Sequence, residues 1–252
     1  MKGTTALVTG GGSGIGLATA RLMLDEGANV VIAGRDHKKL KAAAEELGNA
    51  DGRLKCIAGD VSSEGYANKL VGETVDAFGA LNVLVNNAGV FRMGSIFDAT
   101  EEDYDYVVNG NLKGTWLMCK FAARAMKECG YGSIVNVSSL LSVRGALGFP
   151  AAAYSAAKGG MMSLTRALAI ELAPLQIRVN VVIPAIVKTP MLYTVGDEKA
   201  VQELLEQSKK FHPIGRAGEP EDVARAIVFL ARPENSWITG AELAVDGGRS
   251  AL

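Results

Sequence analysis

The sequence predicts an α/β protein with one doubly wound, Rossmann-type parallel sheet that carries helices on both faces. Three observations predict it: short apolar runs alternate with longer segments of helical periodicity, the runs are nearly continuous, as in strands buried on both faces, and a glycine-rich turn follows the first run. No linker, internal repeat or charge block divides the 252 residues. We therefore expect a single domain over residues 1–252.

The composition excludes several classes of function. Lysine and arginine (26) nearly balance aspartate and glutamate (27), which argues against a nucleic-acid partner. We expect a cytoplasmic protein without membrane contact, because the first apolar run is too short for a signal sequence and no apolar stretch reaches the length of a membrane span. The three scattered cysteines fit a reducing compartment. With only His37 and His212, we expect no metal site, and a Ser-His-Asp hydrolase would have to use one of these two.

The order of elements follows from the apolar pattern. We predict strands at 6–8, 30–32, 54–57, 83–85, 134–137 and 179–183, with a last strand near an edge at 241–245. Helical patterns occupy 16–26, 36–47, 64–78, 101–127 and 151–173. The segment 191–213 mixes apolar and charged residues after the sixth strand, and we predict a substrate-covering loop or helix there.

The first strand runs into Thr9-Gly10-Gly11-Gly12-Ser13-Gly14-Ile15-Gly16 and then a helix, which is where doubly wound folds bind a pyrophosphate. Residues without Cβ atoms let the backbone approach the phosphates, and the helix N-terminus supplies free N–H groups. We therefore assign Gly10, Ser13, Gly14, Ile15 and Gly16 to cofactor binding. A glycine-rich turn by itself also fits a flexible loop, and the missing Lys-Ser/Thr ending excludes a standard P-loop.

The ends of the second and third strands carry the residues that would meet the adenosine. Arg35 follows Gly34 and would pair with a 2′-phosphate, which favours NADP(H) and leaves NAD(H) possible. Asp36 beside it would suit a ribose hydroxyl, although an N-cap for the next helix is the more ordinary role. Two roles are likewise possible for Asp60, next to Val61: its side chain contacts the adenine, or it closes a turn.

Polar residues recur after the fourth strand. Asn86-Asn87-Ala88-Gly89 forms a sharp strand end, and Thr100 starts a segment that is typical of a helix cap. Asn111 lies inside the following helix, where an amide is a poor choice unless it has a buried polar partner. The helical pattern also breaks around Gly110 and Gly114.

Tyr154 and Lys158 lie one helical turn apart after the fifth strand, on a surface of small side chains. A cation about 4 Å from a phenol lowers the phenol's pKa, so we expect Tyr154 to exchange a proton near neutral pH. An ordinary amphipathic helix has the same spacing. Ser138 and Ser139 end the fifth strand at the ligand-binding edge of the predicted sheet.

Taken together, these motifs resemble the compact single-domain branch of the short-chain dehydrogenase/reductase family over nearly the whole chain. The resemblance extends through Pro184-Ala185-Ile186-Val187-Lys188-Thr189 to Val245-Asp246-Gly247-Gly248. It implies an oxidoreductase that interconverts a carbonyl and a secondary alcohol. The catalytic residues it implies are Asn111, Ser139, Tyr154 and Lys158, and the implied cofactor contacts, besides the glycine turn, are Arg35, Asp60, Val61, Asn87, Ala88, Gly89, Tyr154, Lys158, Pro184, Val187 and Thr189.

The resemblance gives each catalytic group a role. Tyr154 transfers the proton, Lys158 lowers its pKa and holds the nicotinamide ribose, Ser139 binds the substrate oxygen, and Asn111 positions a water that links Lys158 to solvent. Val187 and Thr189 would fix the carboxamide.

Two departures from the family pattern stand out. Ser139 lies fifteen residues before Tyr154 rather than thirteen, which leaves Ser138 and Ser142 as possible substitutes. Ala185 replaces the usual glycine after Pro184, for which we expect a small backbone adjustment.

Two alternatives remain at this stage. The first is a β-ketoacyl-thioester reductase of fatty acid synthesis, which shares the motifs, and the second is a regulator that senses the dinucleotide without catalysis. For assembly, Gly159 and Gly160 each weaken the helix that carries Tyr154 by about 1 kcal/mol relative to alanine. A helix pairing on this surface would offset that cost, so we expect a homotetramer or homodimer, with packing inside the chain as the alternative.

Overall fold

The computed structural model describes residues 1–48 and 51–252. In this part of the chain, seven parallel strands form one sheet in the order β3-β2-β1-β4-β5-β6-β7. The strands are β1 (Thr5–Thr9), β2 (Asn29–Gly34), β3 (Leu54–Ala58), β4 (Val83–Asn86), β5 (Gly132–Val137), β6 (Ile177–Pro184) and β7 (Glu242–Val245). The predicted doubly wound α/β class is confirmed, and the order reverses between β1 and β4, where such sheets bind ligands.

Eight α-helices and short helical turns connect these strands in the described part of the chain. The α-helices are α1 (Gly14–Asp25), α2 (His37–Leu47), α3 (Glu64–Phe78), α4 (Glu101–Val108), α5 (Gly114–Cys129), α6 (Ala152–Leu172), α7 (Glu198–Phe211) and α8 (Pro220–Ala231). A π-helical turn, Asn109–Lys113, joins α4 to α5. Short 3-10 turns lie at Leu140–Ser142, Ala173–Leu175, Pro190–Thr194, Pro233–Asn235 and Arg249–Ala251.

Helices cover both faces of the sheet, which explains the continuous apolar runs of its inner strands. Every residue of β1 and β6 is buried, whereas in the edge strand β3 Ile57 is buried and the other four residues are partly or fully exposed. On one face Met23 of α1 and Ile227 of α8 pack against the strands. On the other face Leu70 of α3 and Met118 of α5 do the same. The strands are therefore held from both sides, and their carboxyl ends form one shared edge.

Some elements differ from the sequence-based expectation. Helix α8 was not predicted, although Pro220 at its first turn and the capping box formed by Glu219 and Asp222 are ordinary start signals. The helix predicted over 101–127 is interrupted by the π-helical turn at the place where its pattern weakens. The capping box of Thr100 with Asp103 is present as expected.

No helix in the described residues is both long enough and apolar enough to cross a membrane.

Candidate active site

The glycine-rich turn lies at the carboxyl end of β1 and needs its glycines for close packing. Gly10 and Gly14 have φ values of +66° and +53°, in the left-handed region that favours glycine. A Cβ on Gly16 would lie 2.4 Å from the Gly10 carbonyl oxygen, so the turn closes only without a side chain there. Ser13 is the N-cap of α1, and its side chain makes no capping bond within the described structure. The helix therefore presents its first N–H groups to the turn, as an anion site requires.

Asn87 and Ala88 hold this turn in place from the end of β4. The Asn87 side-chain amide donates to the carbonyl oxygens of Thr9 and Gly10, at 3.1 and 3.2 Å. The backbone N–H groups of Asn87 and Ala88 both donate to the Thr9 hydroxyl. The motif that the sequence marked as a sharp strand end therefore ties β4 to the glycine-rich turn.

At the end of β2 the two candidate ribose residues have different surroundings. The Asp36 carboxylate accepts hydrogen bonds from the backbone N–H groups of Lys38 and Lys39, and these bonds hold its pKa below the ordinary value. It is the N-cap of α2, as the ordinary interpretation predicted. The Arg35 side chain is exposed beside it. Asp36 thus uses Oδ1 for the cap, whereas the Arg35 guanidinium has no hydrogen bond within the described residues.

Asp60 closes a turn after β3. Its Oδ1 accepts hydrogen bonds from the backbone N–H and the hydroxyl of Ser62, at 2.9 and 2.8 Å. The next residue, Val61, is buried, and its Cγ2 atom would lie 2.9 Å from a Cβ on Gly114. Of the two roles considered for Asp60, the structure contains the turn.

Asn111 lies in the π-helical turn and is completely buried. Its side-chain amide donates to the carbonyl oxygens of Val90 and Val107, both at 2.8 Å, which is the buried polar partnership expected of it. Its Oδ1 accepts no hydrogen bond from the described residues. A Cβ on Gly89 would lie 2.8 Å from this oxygen and 3.6 Å from Lys158 Nζ, so both groups border the same small space.

Tyr154 and Lys158 lie in the first turns of α6, side by side as their spacing predicts. Lys158 Nζ is 5.7 Å from the centre of the Tyr154 ring and donates to the Val137 carbonyl oxygen at 2.8 Å. Burial raises the pKa of Tyr154 to about 12, an effect that hydrogen bonding with Ser139 only partly offsets. Burial also lowers the pKa of Lys158 to about 8.

The expectation of a lowered Tyr154 pKa is therefore wrong for this structure. The reason is desolvation: the expectation counted the attraction between the cation and the phenolate but not the cost of burial, whereas both groups are buried and each is less stable in its charged form.

The three serines after β5 have separate partners. The Ser138 hydroxyl donates to the Lys158 carbonyl oxygen at 3.0 Å, and the Ser142 hydroxyl donates to the Ser139 carbonyl oxygen. The Ser139 hydroxyl accepts from the Leu141 N–H at 3.2 Å and also lies within hydrogen-bonding reach of Tyr154. Of the three, Ser139 is the serine beside the phenol.

The segment after β6 folds back over the glycine turn. Val187 forms a single parallel bridge with Gly218, and the Lys188 N–H donates to the Gly218 carbonyl oxygen. A Cβ on Gly14 would lie 3.0 Å from the Thr189 methyl group, so Thr189 lies against the glycine-rich turn. Pro184 is buried at the end of β6.

Ala185 does not need the conformational freedom of glycine. Among the described non-glycine residues, positive φ values occur at Asp51 and Gln176, and Ala185 has none. The departure from the family pattern is accommodated in ordinary backbone geometry.

A buried hydrogen-bonded chain behind the site was not predicted from the sequence. The Asn86 amide donates to Asn136 Oδ1 at 2.9 Å, and the Asn136 amide donates to the Thr165 hydroxyl at 2.8 Å. These bonds join β4, β5 and α6 below Tyr154. The sequence did contain a signal for this chain of hydrogen bonds. Asn86 and Asn136 lie in largely apolar strands, and a buried amide needs a polar partner.

The segment predicted to cover the site consists of the 3-10 turn Pro190–Thr194 and helix α7. Val195 between them packs against the apolar cluster that contains Tyr154. A cavity of about 560 Å³ lies at the opposite edge of the sheet, lined by Asn82, Arg178 and Trp237 among others, and contains none of these residues. The site is thus built at the carboxyl ends of the strands.

A parallel sheet in this order, with a glycine-rich first turn, defines the class of dinucleotide-binding Rossmann-type proteins. A family model described as enoyl-(acyl carrier protein) reductase matches residues 10–250. The chain belongs to the short-chain dehydrogenase/reductase family and is an oxidoreductase that acts on CH–OH groups.

Characterised relatives cover the chain almost completely. An NADP-dependent (R)-specific alcohol dehydrogenase of Lentilactobacillus kefiri is 40% identical, over 100% of this chain and 98% of its own length. A hydroxy(phenyl)methyl-succinyl-CoA dehydrogenase subunit of Thauera aromatica is 39% identical (99% and 98%), and a 3-oxoacyl-acyl-carrier-protein reductase of Thermotoga maritima is 37% identical (98% and 98%). A crystal structure of a short-chain dehydrogenase/reductase from Burkholderia xenovorans superposes with a TM-score of 0.94 at 35% identity, over 100% and 98% of the two chains.

Proposed function

We propose that this chain is an NADP(H)-dependent enzyme that interconverts a small-molecule carbonyl compound and its secondary alcohol, with Tyr154 as the acid/base. The observation that carries the proposal is the set of four groups, Asn111, Ser139, Tyr154 and Lys158, at the carboxyl end of the sheet. The residues fit a dinucleotide: the glycine turn has no room for a Cβ at Gly16, and α1 offers its N–H groups there. When bound, the nicotinamide supplies or accepts the hydride.

The contacts of each catalytic group support its role. The Ser139 hydroxyl, beside the phenol, donates a hydrogen bond to the substrate oxygen and orients it. Tyr154 then gives its proton to that oxygen during reduction, or removes it during oxidation. Lys158, one turn away, stabilises the phenolate that forms and binds the nicotinamide ribose. Asn111 Oδ1, which faces the space beside Lys158, would orient a water that relays a proton from solvent to Tyr154 after reduction and from Tyr154 to solvent after oxidation.

NADP(H) is favoured over NAD(H) because the Arg35 side chain is exposed while Asp36 caps α2. The NADP dependence named for the Lentilactobacillus relative supports the same choice. The remaining cofactor contacts in the proposal are Asp60, Val61, Asn87, Ala88, Gly89, Pro184, Val187 and Thr189. Asp60 and Val61 would border the adenine, and Val187 and Thr189 would hold the carboxamide.

The proposal also includes a single domain over residues 1–252, residues 191–213 as the substrate cover, a cytoplasmic location and a homo-oligomer. Val195, which touches the cluster around Tyr154, supports the cover. No nucleic-acid or membrane partner belongs to the proposal.

The second candidate is a β-ketoacyl-thioester reductase, which the 37% identical relative from Thermotoga maritima favours. An NADPH oxidation assay with simple ketones, acetoacetyl-CoA and crotonyl-CoA separates the candidates. Preference for acetoacetyl-CoA would select the thioester reductase, and preference for crotonyl-CoA would select the enoyl reduction described for the family model. Cofactor binding without turnover of any compound would select the regulator.

The Tyr154→Phe variant tests the mechanism. We expect turnover to fall by about 10²- to 10⁴-fold, since only the transferable proton is removed, while NADPH affinity measured by titration stays close to that of the unaltered protein. The matched control is Tyr131→Phe, because Tyr131 is exposed at the opposite edge of the sheet, away from the four groups. Substantial activity in Tyr154→Phe would show that another group transfers the proton.

A further inference from the structure

Tyr66, in the first turn of α3, spans the turn that leads from β3 into this helix. Its hydroxyl donates to the Ile57 carbonyl oxygen at 3.0 Å, which carries the contact back into β3. Burial, followed by the charges of Glu73 and Asp60, raises the pKa of Tyr66 to about 12, so the hydroxyl keeps the proton that it donates. The side chain therefore connects the two ends of the turn.

The Tyr66 ring occupies the space beside Gly59, the first residue of the turn. A Cβ on Gly59 would lie 2.1 Å from Cε2 and 2.3 Å from Cδ2 of the ring, so the ring packs directly on the backbone there. The ring is itself partly buried against the apolar cluster that contains Leu70. The Gly59 N–H donates to the Gly34 carbonyl oxygen at 2.9 Å, which joins this position to the strand end that precedes Arg35.

The residue after Gly59 is Asp60, whose half-buried carboxylate keeps one oxygen for a ligand. Its Oδ1 accepts from the backbone and side chain of Ser62, whereas Oδ2 accepts no hydrogen bond from the described residues. A carboxylate oxygen is an acceptor only, and the exocyclic amino group of adenine is a donor of matching chemistry. The position of Oδ2 depends on the backbone turn that the Tyr66 ring covers.

We propose that Tyr66 is a positioning residue for cofactor recognition: its ring, packed on Gly59, holds Asp60 where Oδ2 accepts a hydrogen bond from the adenine amino group. The inference rests on the proposed function, in which Asp60 borders the adenine, and it adds the residue that fixes this contact. A smaller side chain at position 66 uncovers the Gly59 backbone and removes the bond to Ile57, so the turn can move. Binding of adenine must then order the turn, at a cost of about two- to tenfold in affinity.

NADPH and its hypoxanthine analogue, in which an oxygen replaces the adenine amino group, test the proposal. The Kd of each is measured by fluorescence titration in the unaltered protein and in Tyr66→Ala, Tyr66→Leu, Tyr66→Phe and Tyr131→Ala. Tyr131 is the matched control because it is exposed at the opposite edge of the sheet. The quantity compared is the ratio of the two Kd values, because a loss of overall stability affects both ligands equally and does not move the ratio.

We expect the unaltered protein to bind NADPH about 10- to 100-fold more tightly than the analogue, as a charge-assisted hydrogen bond implies. Tyr66→Ala and Tyr66→Leu should lower this preference by about two- to tenfold, because they weaken NADPH and not the analogue. Tyr66→Phe, which keeps the ring on Gly59, should keep most of the preference, and Tyr131→Ala should leave it unchanged. Tyr66→Leu retains apolar volume and decides the question if Tyr66→Ala does not fold.

Three results would overturn the proposal. They are an unchanged preference in Tyr66→Leu, a loss in Tyr131→Ala or Tyr66→Phe as large as that in Tyr66→Leu, and equal binding of the two ligands by the unaltered protein.

Binding is measured without turnover, which separates this inference from the proposed function. A preference that is lost in Tyr66→Leu supports the inference even if the unaltered protein reduces no carbonyl compound, in which case the proposed function alone fails. Reduction of a ketone by an enzyme whose preference is unchanged in Tyr66→Leu removes the inference and leaves the proposed function in place. A protein that binds neither NADPH nor NADH would overturn both.

Discussion

At the scale of single residues, the site is controlled by what burial does to two neighbouring charges. Lys158 is 3% exposed and Tyr154 is 7% exposed. Burial favours the neutral form of each side chain, so it lowers the pKa of Lys158 to about 8 and raises the pKa of Tyr154 to about 12. Proton donation from Tyr154 creates a phenolate in this dry surrounding. The reaction therefore depends on whether Lys158 is charged at that moment, because its ammonium, 5.7 Å from the centre of the Tyr154 ring, is a positive charge that would stabilise the anion.

This dependence predicts a pH profile for carbonyl reduction. Lys158 is protonated below its pKa of about 8 and neutral above it, whereas Tyr154, with a pKa of about 12, keeps its proton throughout the range. We expect kcat/KM to be constant at lower pH and to fall as the pH rises through about 8. The measurement is the rate of NADPH oxidation from pH 6 to pH 10 at limiting ketone. A rate that increases across pH 8 would contradict the role given to the ammonium.

Arg35 supports a second prediction at this scale. Replacing Arg35 by serine removes a charge-assisted contact worth about 1.5–3 kcal/mol, so we expect kcat/KM for NADPH to fall by about 10- to 100-fold while that for NADH changes little. Lys41→Ser, on the exposed face of α2, is the matched control for loss of positive charge. Equal or better efficiency of the unaltered enzyme with NADH would refute the NADP(H) preference.

At the scale of elements, the interruption between α4 and α5 is what brings Asn111 to the site. The π-helical turn Asn109–Lys113 starts after α4, where the Asn111 amide donates to the Val107 carbonyl oxygen one turn earlier. Gly110 allows the turn to lie against Val90, because a Cβ there would be 2.6 Å from Val90 Cγ2. The local widening of the helix is therefore coupled to a close contact with the segment after β4.

Gly110→Ala tests this coupling, with Gly72→Ala as its control. Gly72 lies on the exposed face of α3 with nothing within 4 Å of an added Cβ, so both variants gain the same helix propensity and only Gly110→Ala is overpacked. We expect the free energy of unfolding of Gly110→Ala to be about 1–3 kcal/mol lower than that of Gly72→Ala. Its Tm should be lower by about 2–4 °C for each kcal/mol, as calorimetry would record. Equal stability of the two variants would show that Val90 can move away from the added methyl group without lowering the free energy of unfolding.

These elements also show what the sequence can and cannot predict. The strand order and every helix except α8 follow from apolar periodicity, and the cap at Asp36 follows from residue type, so these were predicted. The π-helical turn was not, because the sequence gives a weakened pattern at Gly110 but not the Val90 contact that selects this geometry. The pKa of Tyr154 was predicted in the wrong direction, since burial depends on Phe91 and Phe149, which come from distant segments.

At the scale of the whole molecule, the structure supplies one intrachain reason for the glycines of α6. A Cβ on Gly160 would lie 2.8 Å from Leu112 Cδ2, so this glycine lets α6 pack closely against Leu112 inside the chain. Among the described residues, a Cβ on Gly159 would meet only the Ser142 carbonyl oxygen, at 3.7 Å. Ala156 and Ala167 are exposed on the same helix and have small side chains.

The expected assembly remains a homotetramer or homodimer, with α6 at an interface. Sedimentation at micromolar concentration should give two or four times the chain mass of 26.3 kDa. We expect Ala156→Glu to shift the population toward smaller species, because a charge would be buried between helices, while Ala42→Glu on α2 leaves it unchanged. A fully active monomer of the unaltered protein would show that α6 has no partner.

The strand order has a consequence for how the chain forms during synthesis. Because β1 lies between β2 and β4, the first three strands can pair before β4 leaves the ribosome, and β4 to β7 then join one growing edge in the order of their translation. Each nascent intermediate thus offers one fresh edge for the next strand. The last edge belongs to β7, which has only four residues and begins with Glu242, so sheet growth ends on a short, charged strand that is a poor template for another chain.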